Sequence, residues 1–171
     1  MTGRTWRLIA VKAECRALQR FTCTVDWPRL AGGRRTASHP RAWEWEAQAM
    51  VRTLRERFRA GDIVVVVESA DGEPVAVAHL SFELDAEVRS AHLNVIAVRV
   101  EDRQAGGSRI ADEVIERVRA ECRRPERSVE AITAVIHVNN RASIRMAQRN
   151  GFEPLGAVRG SYQTWVLDLQ G

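Results

Sequence analysis

Hydrophobic and polar positions change their spacing several times along the chain, and each change marks an element. Arg4 to Val11 alternates loosely, as a half-buried first strand does. The polar, glycine-containing stretch around Ala31 to Pro40 predicts a loop. From Ala42 to Arg59, Trp45, Ala49, Val51, Leu54 and Phe58 recur near helical spacing, and Gly61 supplies a stop. Ile63 to Glu68 is a continuous β-branched run, Asp71-Gly-Glu-Pro74 carries turn chemistry, and Val75 to Glu83 resumes as a strand, which together predict an antiparallel hairpin. Ala91 to Val100 reads as a further strand leading through a glycine turn into a helix over Ser108 to Cys122, with Ile110, Val114, Ile115 and Val118 on one face. Ser128 to Val138 is again β-branched, Asn140 to Arg149 predicts a short helix closed by Asn150-Gly151, and Ser161 to Leu169 a last strand.

A run of antiparallel candidates followed by β-α-β-α-β defines the expected class: α/β in the broad sense, with α+β character, as a central mixed sheet flanked by helices. In open sheets of this kind ligands collect beyond the carboxyl ends of strands, where neighbouring strands part. The turn at Gly106-Gly107 falls at such a place.

At 171 residues and 45% hydrophobic composition the chain can enclose the core of one domain, and a single domain over 1–171 is expected. The longest apolar run, Ile63 to Val67, is far shorter than the ~20 residues a membrane helix needs. The first ten residues also lack the apolar centre of a secretory signal, so a soluble cytoplasmic protein is expected. Cys15, Cys23 and Cys122 form no C-x-x-C pair, which offers neither a disulfide framework nor a cysteine metal site, and no metal is expected. The net charge of +4 comes almost wholly from arginines, Lys12 being the sole lysine, and these are scattered among acids rather than gathered into the block a nucleic-acid interface needs.

Gly106 and Gly107 permit close backbone approach, and the helix behind them offers unpaired N–H groups to an anion such as a pyrophosphate. Arg103 and Arg109 flank them. Neither the lysine of a P-loop nor the triple glycine and following acid of a dinucleotide fold is present. What remains is Arg103-x-x-Gly106-x-Ser108 entering a helix, and downstream Asn140-Arg-Ala-Ser143 followed by a short helix and Gly151-Phe152. Together, in this order and with a strand between them, these motifs resemble those of the GNAT family of N-acetyltransferases, over about residues 63 to 169.

The resemblance implies a mostly antiparallel sheet, splayed between its two central strands with the help of a local bulge, and acetyl-CoA as co-substrate. It places Arg103, Gln104, Ala105, Gly106, Gly107, Ser108 and Arg109 around the pyrophosphate, with Ser108 where glycine or alanine is usual. It pairs the backbone of Ala97, Val98 and Val100 with the pantetheine arm, and brings Asn140 and Ser143 to the thiol end; Asn140 is equally fitted to cap a helix. The tyrosine that many members carry seven residues after the motif asparagine is replaced by Ala147, which leaves Ser143, Tyr162 or water as proton donor. The position of the family's usual glutamate base is His92, chemically suited to the task near neutral pH; Glu83 is the other candidate. His79 and His137, each within an apolar run, are expected to be core histidines. Trp43 and Trp45 flank Glu44 on a helix that the resemblance sets beside the acceptor, as wall or as packing, and Glu44 and Glu46 could attract a cation.

The expected function is acetyl transfer from acetyl-CoA to a primary amine by direct attack in a ternary complex. The expected partner is an amine acceptor, with no nucleic acid and no membrane, and a homodimer is one admissible assembly. Replacement of the usual tyrosine by Ala147 motivates one alternative, a non-catalytic acyl-CoA-binding regulatory module; the basic charge motivates another, a toxin that acetylates charged tRNA.

Overall fold

The computed structural model describes residues 3–24, 42–103 and 107–170. The loop expected around 31–40 lies outside them. The strands are β1 (Thr5–Ile9), β2 (Ile63–Glu68), β3 (Pro74–Glu83), β4 (Ser90–Val98), β5 (Ala131–His137), β6 (Glu153–Arg159) and β7 (Tyr162–Asp168). The α-helices are α1 (Ala42–Arg52), α2 (Leu54–Arg57), α3 (Gly107–Cys122) and α4 (Arg141–Arg149).

One seven-stranded sheet runs in the order β1-β2-β3-β4-β5-β7-β6. All neighbours are antiparallel except β4 and β5, the pair joined through α3. Each face carries its own apolar layer. Ile110, Val114, Ile115 and Val118 of α3 pack with Val65, Ala78 and Ile132 on one side. Val51, Leu54 and Phe58 pack with Val64, Val66 and Val77 on the other, where Ile9, Cys15 and Leu18 join them. The buried run of β2 follows from this arrangement, since a strand covered on both faces has no polar side to show.

The helix expected from Ala42 to Arg59 is divided at Thr53, whose hydroxyl donates to the Ala49 carbonyl at 2.8 Å. Such back-bonding competes with the helical ladder. The strand β6 was not expected: all seven of its residues are exposed, so it carries no alternation of burial to read. Helix α4 ends as expected, with Gly151 at φ +75°. There a Cβ would also come within 3.6 Å of Leu167 Cδ1.

Two features of β4 shape the site. Between His79 and Leu80 the β3–β4 register slips by one: His79 faces Val95 while Leu80 faces Leu93, leaving Asn94 as the extra residue. Asn94 is held there by its side-chain amide, which donates to Ser81 Oγ at 2.9 Å. In addition, β4 and β5 pair only from Ser90 to Leu93 against Ala131 to Ala134. Beyond these residues the central strands separate, forming the splay that the resemblance implies.

Candidate active site

The separation of β4 from β5 opens a cleft with two adjoining cavities. The larger, about 600 Å³, is walled by Ile96, Ala97 and Val98 of β4, Trp43, Glu44 and Ala47 of α1, Ala111 of α3, and the α4 face bearing Ala142, Ser143, Arg145 and Arg149, with Arg103 at its edge. The smaller, about 120 Å³, is lined by Glu46 and Met50 of α1, Leu93 to Ile96, Ala134 to His137, Ala147 and Tyr162. Trp43, Ala47, Ile96, Asn140, Ser143 and Met146 belong to both.

Hydrogen-bond phase determines what β4 offers this cleft. Arg99 N–H donates to the Val75 carbonyl at 2.8 Å, and antiparallel alternation then turns the backbone groups of Ala97 toward β3 and those of Ile96 and Val98 toward the side where β5 is absent. Val98 thus presents its amide to the cleft, Ala97 contributes wall only, and Val100 donates its N–H to the Thr22 carbonyl at 3.0 Å. Ile96, which the sequence did not single out, joins Val98. An extended arm could add itself here as a strand.

Arg103 donates from Nε to the Val98 carbonyl at 3.4 Å and pairs with Glu44 at 3.3 Å, tying α1 to the start of the turn. Gln104, Ala105 and Gly106 lie outside the described residues. Gly107 and Ser108 begin α3, and Arg109, one residue on, is exposed and lines neither cavity. Asn140 caps α4, its Oδ1 accepting from the Ser143 N–H at 3.2 Å, and it lines both cavities with Ser143.

The proton-handling candidates separate. Tyr162, the single tyrosine of the chain, enters the smaller cavity beside Ala147 and donates to Glu46. Burial, then the hydrogen bond to Glu46 and its charge, push the phenol up to about 12, so it remains protonated through the neutral range. His92 and Glu83 line neither cavity. His92 lies below the parting of the strands, half-buried, with Nδ1 2.9 Å from Thr133 Oγ1. Burial lowers its pKa, against a smaller upward pull from Glu83. Glu83 is exposed at the end of β3, opposite Ser90.

One expectation about the histidines needs correction. His79 is a core histidine, with its Nε2 2.9 Å from Asp62 Oδ2 and both side chains 5% exposed. His137 is not: it ends β5 beyond the last residue paired with β4, so its ring reaches the smaller cavity. Its apolar neighbours disguised this position. Of the two tryptophans, Trp45 packs in the core while Trp43 walls the cleft, because two residues along a helix turn a side chain to another face. The sequence also passed over Arg145 and Arg149, although they stand three and seven residues after Ala142, the spacing of one helical face.

All three cysteines are buried and unpaired, and burial raises their thiols, Cys23 to about 11 and Cys122 to about 12, which leaves none as a thiolate nucleophile. Among the described residues no cluster of His, Cys, Asp or Glu could hold a metal, and no helix is long and apolar enough to cross a membrane.

A parted central strand pair and a bulge beside it open a cleft between β4, α1 and α4. The profile of the Acetyltransferase (GNAT) family matches residues 25–152, and the chain belongs to that family of acyltransferases. Solved structures share the fold at low identity. An N-acetyltransferase from Staphylococcus aureus superposes with a TM-score of 0.66 at 16% identity, covering 98% of this chain and 99% of that one. A variant of spermidine N-acetyltransferase SpeG from Vibrio cholerae gives 0.63 at 17%, covering 98% and 94%. The Escherichia coli N-acetyltransferase of a ribosomal-protein alanine gives 0.63 at 15%, covering 96% and 94%. No curated protein matches the sequence.

Proposed function

We propose that this acyltransferase passes the acetyl group of acetyl-CoA directly to a primary amine while both are bound. The observation that carries this reading is the cleft itself: β4 turns the amides of Ile96 and Val98 toward a cavity of about 600 Å³ that also meets Arg103, Arg145 and Arg149, a fit for an extended arm ending in phosphates. Acetyl-CoA supplies a thioester whose carbonyl carbon the amine attacks and whose thiolate leaves.

The residues of the chain divide the remaining work. The Val98 N–H is a fixed donor for the thioester carbonyl. The Ser143 hydroxyl stands on the walls of both cavities and takes the part of the tyrosine absent at Ala147, hydrogen-bonding the departing thiolate, while Tyr162 gives its O–H to Glu46 and holds that carboxylate in place. His92 accepts the proton lost by the amine through a water, since its side chain does not reach the cavity walls. Neither transfer of the acyl group to the protein nor a thiolate nucleophile is needed.

Thermal unfolding in parallel with acetyl-CoA, CoA, ATP and NAD tests the first half of this reading. Ligand at about a hundred times its dissociation constant adds ~2.7 kcal/mol, which for a domain of this size raises the midpoint by about 5 to 10 °C. A shift with acetyl-CoA and CoA alone is expected, and thiol release on adding an amine should follow. No shift at millimolar acetyl-CoA with folded protein would overturn the proposal.

A further inference from the structure

The two cavities have opposite polarity. Three arginines reach the larger one, whereas the smaller carries the carboxylate of Glu46 and, among the described residues, no arginine or lysine on its walls. The rest of its wall is mostly aliphatic, and Trp43, His137 and Tyr162 bring aromatic rings to it. The rings of Trp43 and His137 lie 4.8 Å apart between centroids and inclined at 37°, and His137 meets Tyr162 edge-on at 5.2 Å.

These groups are held in place by independent elements. Trp43, Glu46, Ala47 and Met50 recur at spacings of three and four along α1, forming one helical face toward the cavity, while Trp45 and Gln48 turn into the core. The Tyr162 hydroxyl at the start of β7 donates to Glu46 and so fixes the carboxylate. The His137 ring at the end of β5 accepts the Asn139 N–H on Nδ1 at 3.1 Å. When neutral it therefore carries its proton on Nε2, an orientation assigned from this hydrogen bond.

We infer that Trp43, Glu46, His137 and Tyr162 form the acceptor subsite, and that it selects a short, unbranched alkylammonium with no carboxylate on its chain. The inference rests on the acetyltransferase reading above and names its acceptor class. Faces of aromatic rings attract an organic cation, and a carboxylate among them adds a charged hydrogen bond. The same carboxylate repels an acceptor that carries a negative charge, and no basic residue on the described walls offsets it. The small volume favours a chain of few atoms. The ammonium gives up its proton before attack, so the subsite gathers the acceptor and the neutral fraction reacts.

The test compares n-butylamine, 1,4-diaminobutane and 4-aminobutanoate as acceptors, with thiol release from acetyl-CoA as the readout and calorimetry for acetyl-CoA binding. These acceptors have chains of similar length ending in a methyl, an ammonium and a carboxylate. Both amines without a carboxylate should exceed 4-aminobutanoate in kcat/KM by at least ~10-fold, the scale of one charged hydrogen bond. Glu46→Gln should lower kcat/KM for n-butylamine by ~10-fold, chiefly through KM, narrow the discrimination against 4-aminobutanoate to under ~3-fold, and leave the acetyl-CoA Kd unchanged. Trp43→Leu should raise KM for the amines without restoring 4-aminobutanoate. Equal use of the three acceptors, or an unaltered Glu46→Gln enzyme, would overturn the inference. Acetyl-CoA binding with no turnover of any of the three would overturn it while leaving the cofactor reading intact. No acetyl-CoA binding by the unmodified protein would remove both.

Discussion

Hydrogen-bond direction decides which nitrogen of His92 is basic. Thr133 Oγ1 lies 2.9 Å from Nδ1 and 3.4 Å from the Ala91 carbonyl, and with the hydroxyl donating to that carbonyl its oxygen accepts from Nδ1–H, an assignment that leaves the lone pair on Nε2. Burial is the largest influence on this ring and lowers its pKa from the ordinary 6.5; the charge of Glu83 opposes this and His79 adds to it. A base of this kind is neutral at physiological pH, as acceptance of a proton requires. The kcat/KM profile should rise with pH along a limb centred below 6.5, and His92→Ala should erase that limb and lower the plateau by ~10²-fold. An unchanged profile in the alanine variant would remove His92 from the reaction. Stability carries the same signature. Below 6.5 and above the folded pKa, the unfolded chain holds a proton that the folded chain does not, so stability rises with pH across this window and is lost as pH falls through it. The His92→Ala protein should lack that part of the acid loss.

Among the elements, β4 does the most to position the site, and it does so by being irregular. Ala91 and Leu93 belong to the apolar layer under α3, whereas Val95 and Ala97 belong to the layer under α1, although an unbroken strand would set all four on one face. The extra residue Asn94 performs the exchange. Asn94→Ala keeps that residue but loses the bond to Ser81, and should cost about 1 kcal/mol with acetyl-CoA binding held within ~3-fold. Deletion of Asn94 restores the regular alternation, places one pair of apolar residues on the wrong face, and should abolish acetyl-CoA binding. Calorimetry that finds the two variants equal would show that the bulge does not aim the strand. The same irregularity explains which parts of the molecule were legible in the sequence. Runs with a single environment, such as Ile63 to Glu68 or the buried face of α3, announce themselves by spacing. Glu153 to Arg159 could not, being exposed throughout and interrupted by Pro154 and Gly156. His137 was misleading for a related reason: its apolar neighbours signal burial, but the end of pairing at Ala134 that exposes the ring is a property of β4 and β5 together. Asn140 was legible because capping a helix at the mouth of the cleft demands such a side chain, whereas Ser143 meets the cap through its backbone N–H and was legible from its place in the motif.

Across the whole molecule, 26 basic residues against 22 acidic leave a net charge of +4, scattered along the sequence. The field that matters is local. Arg103, Arg145 and Arg149 reach the larger cavity, and two of them are already engaged, Arg103 by Glu44 at 3.3 Å and Arg149 by Asp112 at 3.1 Å. Arg145, whose Nε donates to the Arg141 carbonyl at 3.3 Å, has no carboxylate partner among the described residues and should contribute most to the attraction of phosphates. These side chains are solvent-accessible, so their pull is screened. Raising NaCl from about 50 to about 500 mM shortens the Debye length from ~14 to ~4 Å and should weaken acetyl-CoA binding by ~3- to 10-fold. Arg145→Gln should weaken binding at low salt and flatten the salt dependence, the two curves converging at high salt, because the substitution removes only the screened part of the interaction. On the proposed reading, the amides of Ile96 and Val98 would supply the unscreened remainder through backbone pairing at the parted edge of β4. A salt-insensitive Kd in the unmodified protein would mean that this pairing and apolar contact alone hold the carrier, and that the arginines serve α4 and its neighbours rather than the ligand.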